Sequence, residues 1–289
     1  MPFKIKPVGK QARIAGSKLS HALMNNPLQI IAKETLEVIK SGMYSYDEDK
    51  YVNISNLIDQ SVNYTEYWSS QPTLLVRETS SVVEVTSETT NQAAVRLLSE
   101  GHKDIVALNF ASATNPGGGW LHGAVAQEED LCRRSVLYEC IRKQTAYYNK
   151  NIPNGKKGYT DGMIYSPDVT FFRDEDYKLL EVPYSLSIIT APAPNVWQME
   201  DPSEDRLIEI FKRRTRMILS IAAKHNHKTI ILGAWGCGAF GNNAQMVAEA
   251  FDKALREIPA FEYVCFAVYD SHKGKPIFNT FNDYFAGLE

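Results

Sequence analysis

Two carboxylates stand side by side at Glu128 and Glu129, directly after Gln127, and the seven residues 120–126 separate this trio from the triple glycine Gly117-Gly118-Gly119. Adjacent acids repel each other, so their juxtaposition asks for a chemical reason. In a helix they would point about 100° apart, which gives them different tasks: one can bind hydroxyls while the other handles a proton. The commoner reading of such a pair in isolation is two acids favouring a helix N-terminus; its weakness here is the glycine run beside them. Consecutive glycines let backbone approach a ligand closely, and a glycine loop feeding a helix turns free N–H groups toward an anion. A second loop of this kind, GAWGCGAFGNN, follows Leu232. Two such loops suit a diphosphate. Neither is a Walker loop, for no Gly-Lys-Ser/Thr follows, and neither is a G-x-G-x-x-G fingerprint after a first strand.

Both loops must hang from strands. The runs TLLVRE, VVEVT, DIVALNF, VTFFRD, YSLSIITAPAP, KTIILGAWG and YVCFAVYD read as strands, and several are apolar throughout, as buried strands are. Between them SETTNQAAVRLLSEG, SEDRLIEIFKRRTRMILSIAAKHNH and NNAQMVAEAFDKALREI carry apolar residues at helical spacing, with Ser87 expected to cap the first. Alternating strands and helices predict a three-layer α/β/α sandwich on a mixed, largely parallel sheet, with ligands bound outside the carboxyl ends of its strands. Upstream, PLQIIAKETLEVIKSG predicts a helix stopped by Gly42, residues 1–26 read as a loosely docked polar arm, and 44–70 show weak periodicity. This divides the chain into an arm and accessory helical extension over 1–70 and a catalytic domain over 71–289.

The composition narrows the function classes. A formal net charge of -3 over 289 residues argues against binding nucleic acid through a broad basic field, so no sequence-specific nucleic-acid contact is expected and phosphate recognition should be local. Cys132, Cys140, Cys237 and Cys265 form no C-x-x-C pair and predict reduced, mostly buried thiols in a cytoplasmic protein. The basic start lacks the apolar stretch of a signal peptide. No apolar run reaches the ~20 residues that span a bilayer. No histidine, cysteine or carboxylate set has zinc or calcium spacing, so neither metal nor cofactor is expected.

The pattern Asn115-Pro116-Gly117-Gly118-Gly119 followed by Gln127-Glu128-Glu129 resembles the signature of microbial-type poly(ADP-ribose) glycohydrolases. Trp235-Gly236-Cys237-Gly238-Ala239-Phe240-Gly241 is similar to their second phosphate loop, and IAKETLEVIKSGMY to their N-terminal extension. The resemblance runs from about residue 28 to the C-terminal strand and implies a macrodomain fold. It implies that Glu129 protonates the leaving ribose oxygen and then activates water, that Glu128 holds the hydroxyls of the ribose being cleaved, and that Asn115 and Gln127 orient that ribose. It further implies that Gly117, Gly118, Gly119, Gly236, Cys237, Gly238 and Ala239 wrap the diphosphate while Phe240 packs on the terminal ribose. Glycoside cleavage through an oxocarbenium-like state asks for a carboxyl kept protonated at working pH, and desolvation beside a second carboxylate pushes that way. The implied substrate is poly(ADP-ribose), cut from the chain end to give ADP-ribose.

Two other functions fit part of the pattern: removal of single ADP-ribose units from protein or nucleic acid, and non-catalytic reading of ADP-ribose. The acid pair disfavours the reader, since binding a diphosphate needs no added negative charge. Ser112 and Ala113, where ordinary binding macrodomains tend to carry Asn, argue the same way. His122 reads as loop structure, Cys132 and Cys140 as core, His225 and His227 as helix-end residues, and Trp197 as lid or packing. The residues Ser87, Glu88 and Thr89 follow a strand at a place where they could reach an adenine.

Overall fold

The computed structural model describes residues 4–5, 26–73 and 79–287. An eight-stranded sheet runs through the molecule in the order β1 (Lys4–Ile5), β5 (Val82–Thr86), β10 (Tyr263–Ala267), β9 (Thr229–Leu232), β6 (Ile105–Phe110), β8 (Leu179–Ala191), β7 (Met163–Arg173) and β4 (Glu66–Trp68). The first six of these pair in parallel; β7 runs antiparallel to β8, and β4 antiparallel to β7. A separate hairpin joins β2 (Met43–Asp47) to β3 (Lys50–Asn53).

Successive side chains on the central strands serve two cores. Val106 and Leu108, Ile230 and Leu232, and Val264 and Phe266 face one side, packed by α7 (Glu204–Lys224), α8 (Ala244–Glu257) and α9 (Pro276–Ala286). Ile105 and Ala107, Ile231, and Tyr263 and Cys265 face the other. That second core is shared with α1 (Pro27–Ser41), α2 (Ser55–Asn63), α3 (Thr90–Ser99), α4 (Gln127–Arg134), α5 (Leu137–Arg142) and α6 (Thr145–Asn151). Period-two alternation with both faces apolar is what a sheet covered by helices on each side requires, and the three-layer architecture is the one the sequence predicts.

The N-terminal extension is less separate than its weak periodicity suggests. Ala32, Val38, Tyr44, Ile54 and Ile58 lie in the same core as Trp120 and Leu131, and β4 completes one edge of the main sheet. Helix α1 starts at Asn26, whose side chain accepts from the Leu28 N–H at 3.0 Å, and ends at Gly42 in the left-handed region, φ 68°, where the chain must turn. In the N-terminal arm, Lys4 and Ile5 form a strand beside Val82 and Val83. The strand expected in TLLVRE, residues 73–78, lies outside the described residues from 74 onward. One cap is misplaced in the sequence reading: Thr89, not Ser87, caps α3, closing a reciprocal box with Gln92 at 3.1 and 3.0 Å. Ser87 instead accepts a hydrogen bond from Lys275 Nζ at 2.6 Å.

Candidate active site

Because β5, β10, β9, β6 and β8 are parallel neighbours, their carboxyl ends share one edge of the sheet. The loops leaving that edge enclose a cleft of about 540 Å³, lined by Glu88, Thr89 and Thr90 at one part of its wall and by residues 234–236, 238–240 and 269–272 at others. Ala111, Ala126 and Gln127 bring the wall to the first turn of α4. The volume falls in the range of pockets that take a ligand of nucleotide size.

The acid pair opens α4, and the two side chains diverge. Glu128 is buried and turns toward β6: the Ser112 N–H donates to its Oε2 at 2.7 Å and Asn109 Nδ2 to its Oε1 at 3.3 Å, and the Gly117 N–H faces it as well. Burial outweighs these donors, with a smaller push from the Glu129 charge, and the carboxyl is pushed up to about 8. Glu129, also buried, turns toward the glycine run, where the Gly119 N–H donates to its Oε1 at 2.9 Å.

The triple glycine does a different job from the one the resemblance implies. Its N–H groups serve the protein: Gly117 faces Glu128, Gly118 donates to Asn115 O at 2.9 Å and Gly119 to Glu129. A Cβ at Gly118, φ 59°, would lie 3.0 Å from Cδ of Glu129 and collide with its Oε1. This run is a cradle for carboxylates. The second loop keeps donors available. Cys237 is a correction: its N–H closes a turn onto Ala234 O at 3.1 Å, and its buried thiol, raised by desolvation to about 12, lies near Trp235 O. Among the described residues no acceptor meets the N–H of Gly236, Gly238, Ala239 or Phe240, and all four line the cleft. A Cβ on Gly238 would meet nothing within 4 Å, so that glycine borders open space.

Gln127 is also reassigned. Its amide accepts from the Phe110 N–H at 2.8 Å and donates to Leu108 O at 2.8 Å and Thr90 Oγ1 at 3.0 Å, so it ties α4 to β6 and α3. Asn115 is exposed outside the cleft lining, and its backbone carbonyl holds the glycine turn. His122 is exposed at the end of a short 3-10 turn, whereas Cys132 and Cys140 are fully buried. His225 and His227 pack around Tyr165, away from the cleft lining. Trp197 is 74% exposed, its ring lying over Gly241, where a Cβ would come within 2.7 Å. Sequence reasoning missed the loop after β10. There Asp270 accepts from the N–H groups of His272, Ile277 and Phe278 and from His272 Nδ1, fixing one wall of the cleft. The strand-end rule applied to YVCFAVYD points to it. Among the described residues no group of three or more His, Cys, Asp or Glu is placed to hold a metal ion, and no helix is long and apolar enough to cross a membrane.

Comparison with known proteins decides what this cleft belongs to. Residues 32–174 match the family model described as microbial-type PARG, catalytic domain. The poly(ADP-ribose) glycohydrolase of Thermomonospora curvata shares 34% identity over 92% of this chain and 100% of its own, with a TM-score of 0.83. The chain belongs to the microbial-type poly(ADP-ribose) glycohydrolases. The glycohydrolase of Deinococcus radiodurans, solved in complex with ADP-ribose, is 38% identical over 82% of this chain and all of its own, with a TM-score of 0.72. The T. curvata enzyme bound to the inhibitor ADP-HPD gives 34% identity over 90% of this chain, 100% of its own and a TM-score of 0.81. No curated protein matches. The α/β fold, the enzyme class and the poly(ADP-ribose) glycohydrolase activity follow from this membership.

Proposed function

We propose that this glycohydrolase works from the ends of poly(ADP-ribose), releasing ADP-ribose, with Glu129 as general acid and base. The observation carrying the reading is the divergence of the acid pair: one carboxyl is buried against β6 and the other turned to the glycine run, on a helix whose Gln127 and Asp130, the residues flanking the pair, line the nucleotide-sized cleft. In this reading the terminal ADP-ribose lies in the cleft, its diphosphate taking the N–H groups of Gly236, Gly238, Ala239 and Phe240. The Phe240 ring packs on the ribose to be cleaved. Glu129 gives a proton to the leaving ribose oxygen as the bond from the anomeric carbon to that oxygen breaks. Water then adds to the oxocarbenium-like carbon, and Glu129 takes its proton, so that the enzyme ends as it began.

Glu128, protonated over most of the neutral range, offers a hydroxyl contact without placing a full negative charge beside Glu129.

Incubation with poly(ADP-ribosyl)ated and, separately, mono(ADP-ribosyl)ated protein tests the substrate. Expected are ADP-ribose as the first product and polymer that shortens gradually, with the protein-linked unit left in place. Oligomers as the earliest products would overturn the exo reading, and efficient removal of the single protein-linked unit would move the activity to the mono-ADP-ribosyl class.

A further inference from the structure

Arg133 lies one helical turn beyond Glu129 on α4 and is 1% exposed. Its guanidinium binds carbonyls: Nη2 donates to Ala124 O at 2.6 Å and Nη1 to Trp120 O at 3.4 Å. Beyond these carbonyls the guanidinium carbon lies 5.9 Å from the centre of the Tyr177 ring; among the described residues no ion pair with a carboxylate is formed, and Nε has no hydrogen-bond partner. A buried cation of this kind carries a heavy desolvation penalty, and an apolar residue of the same size would fill the space without it. The arrangement therefore points to what the fork holds.

Both carbonyls belong to the loop 120–126 that joins the triple glycine to the acid pair. Most of that loop is exposed, and Trp120 is its one fully buried side chain. Its residues reach back to Gly119, whose carbonyl accepts from the N–H groups of His122 at 2.9 Å and Ala124 at 3.2 Å. The N–H of the same glycine donates to Glu129 Oε1. A continuous path thus runs from Arg133 through Ala124 and Gly119 to the Glu129 carboxylate. The accessory helix holds the far end: Thr35 Oγ1 donates to Arg133 O at 2.7 Å while accepting from Arg173 Nε at 3.2 Å, and Gln29 Nε2 donates to His122 O at 3.2 Å.

We propose that Arg133 is a positioning residue for the cleavage reaction: it fixes the orientation of the Glu129 carboxylate through the 120–126 loop, and Thr35 of the N-terminal extension buttresses it. The proposal rests on the reading of Glu129 as acid and base. It gives the extension a part in turnover through one hydroxyl.

Arg133→Lys keeps the charge but replaces the planar fork by a single ammonium. Thr35→Val withdraws the hydroxyl without touching Arg133, and Thr35→Ser restores it. Each variant is measured for kcat and KM on poly(ADP-ribose) and, by calorimetry, for ADP-ribose affinity, with Glu129→Gln run alongside. Misplacement of a reacting group by ~1 Å costs up to about 10²-fold in rate. Arg133→Lys should accordingly lose about tenfold or more in kcat while ADP-ribose affinity stays within about twofold. Thr35→Val should lose kcat in the same sense and Thr35→Ser recover it. A wild-type kcat in Arg133→Lys, or equal losses of kcat and of affinity, overturns the proposal. If Arg133→Lys does not fold, the threonine pair decides: Thr35→Ser as slow as Thr35→Val overturns it. Wild-type turnover by Glu129→Gln removes the acid–base reading itself, whereas an inactive Glu129→Gln beside a fully active Arg133→Lys removes only the positioning role.

Discussion

Glu129→Gln keeps an oxygen where the Gly119 N–H donates and removes the proton that can be given and taken. Hydrolysis should fall by at least ~10²-fold, the low end of what a general acid–base group supplies, with ADP-ribose affinity unchanged in calorimetry; normal turnover by the folded variant would falsify the assignment. The two glycine loops separate at this scale as well. Gly238 borders open space, so Gly238→Val should leave thermal stability intact and weaken ADP-ribose binding by about tenfold or more, ~1.4 kcal/mol. Gly118 sits at φ 59° against Glu129, so Gly118→Ala should lower the melting temperature and kcat together; an unaltered rate there would show that the carboxylate tolerates displacement. Residue types and spacing made this pair of loops legible in the sequence. The direction of each N–H was not, because it follows from φ and ψ at each glycine. Hence Gly117, Gly118, Gly119 and Cys237 looked like diphosphate ligands when their amides are engaged within the protein.

At the scale of elements, strong periodicity was readable and context-dependent structure was not. Helices α7 and α8 and the apolar strands β6, β9 and β10 announce themselves. The β2–β3 hairpin, which begins at Met43, and α2 and β4 occupy the stretch through 70 where polar and aromatic residues mix without a clean period and tertiary contacts decide the conformation. Helix α3 shows how close a signal can be missed: Ser87 and Thr89 are both capping types, but only Thr89 has Gln three residues on to complete the box. Thr89 also lines the cleft. Thr89→Ala should therefore cost about 1 kcal/mol, read as a lower urea midpoint at unchanged slope. A midpoint equal to wild type would mean that the α3 N-terminus is held by packing alone.

For the molecule as a whole, the parallel order of five strands gathers loops from distant parts of the chain at one edge, and the fold carries a buried acid there. Glu128 shares its surroundings with Glu129, Asn109 and the Ser112 N–H, and burial holds its carboxyl at about 8 against an ordinary 4.5. The folded state thus binds this proton more tightly than the unfolded chain. By linkage, the stability from protonated Glu128 is fully present below about 4.5 and is lost as pH rises toward about 8, a loss on the order of 4 kcal/mol. Glu128→Gln has no proton to lose, and Asn109 can present either end of its amide to it. Other titrating groups are common to both proteins, so the difference between their stability curves isolates this one. Wild type and Glu128→Gln, melted without ligand across pH 5 to 8.5, should therefore diverge progressively, the wild type losing ground as pH rises. Parallel curves would mean that Glu128 is ionised in the folded protein at neutral pH, and Glu128 would then place a full negative charge where the substrate's hydroxyls are to be held.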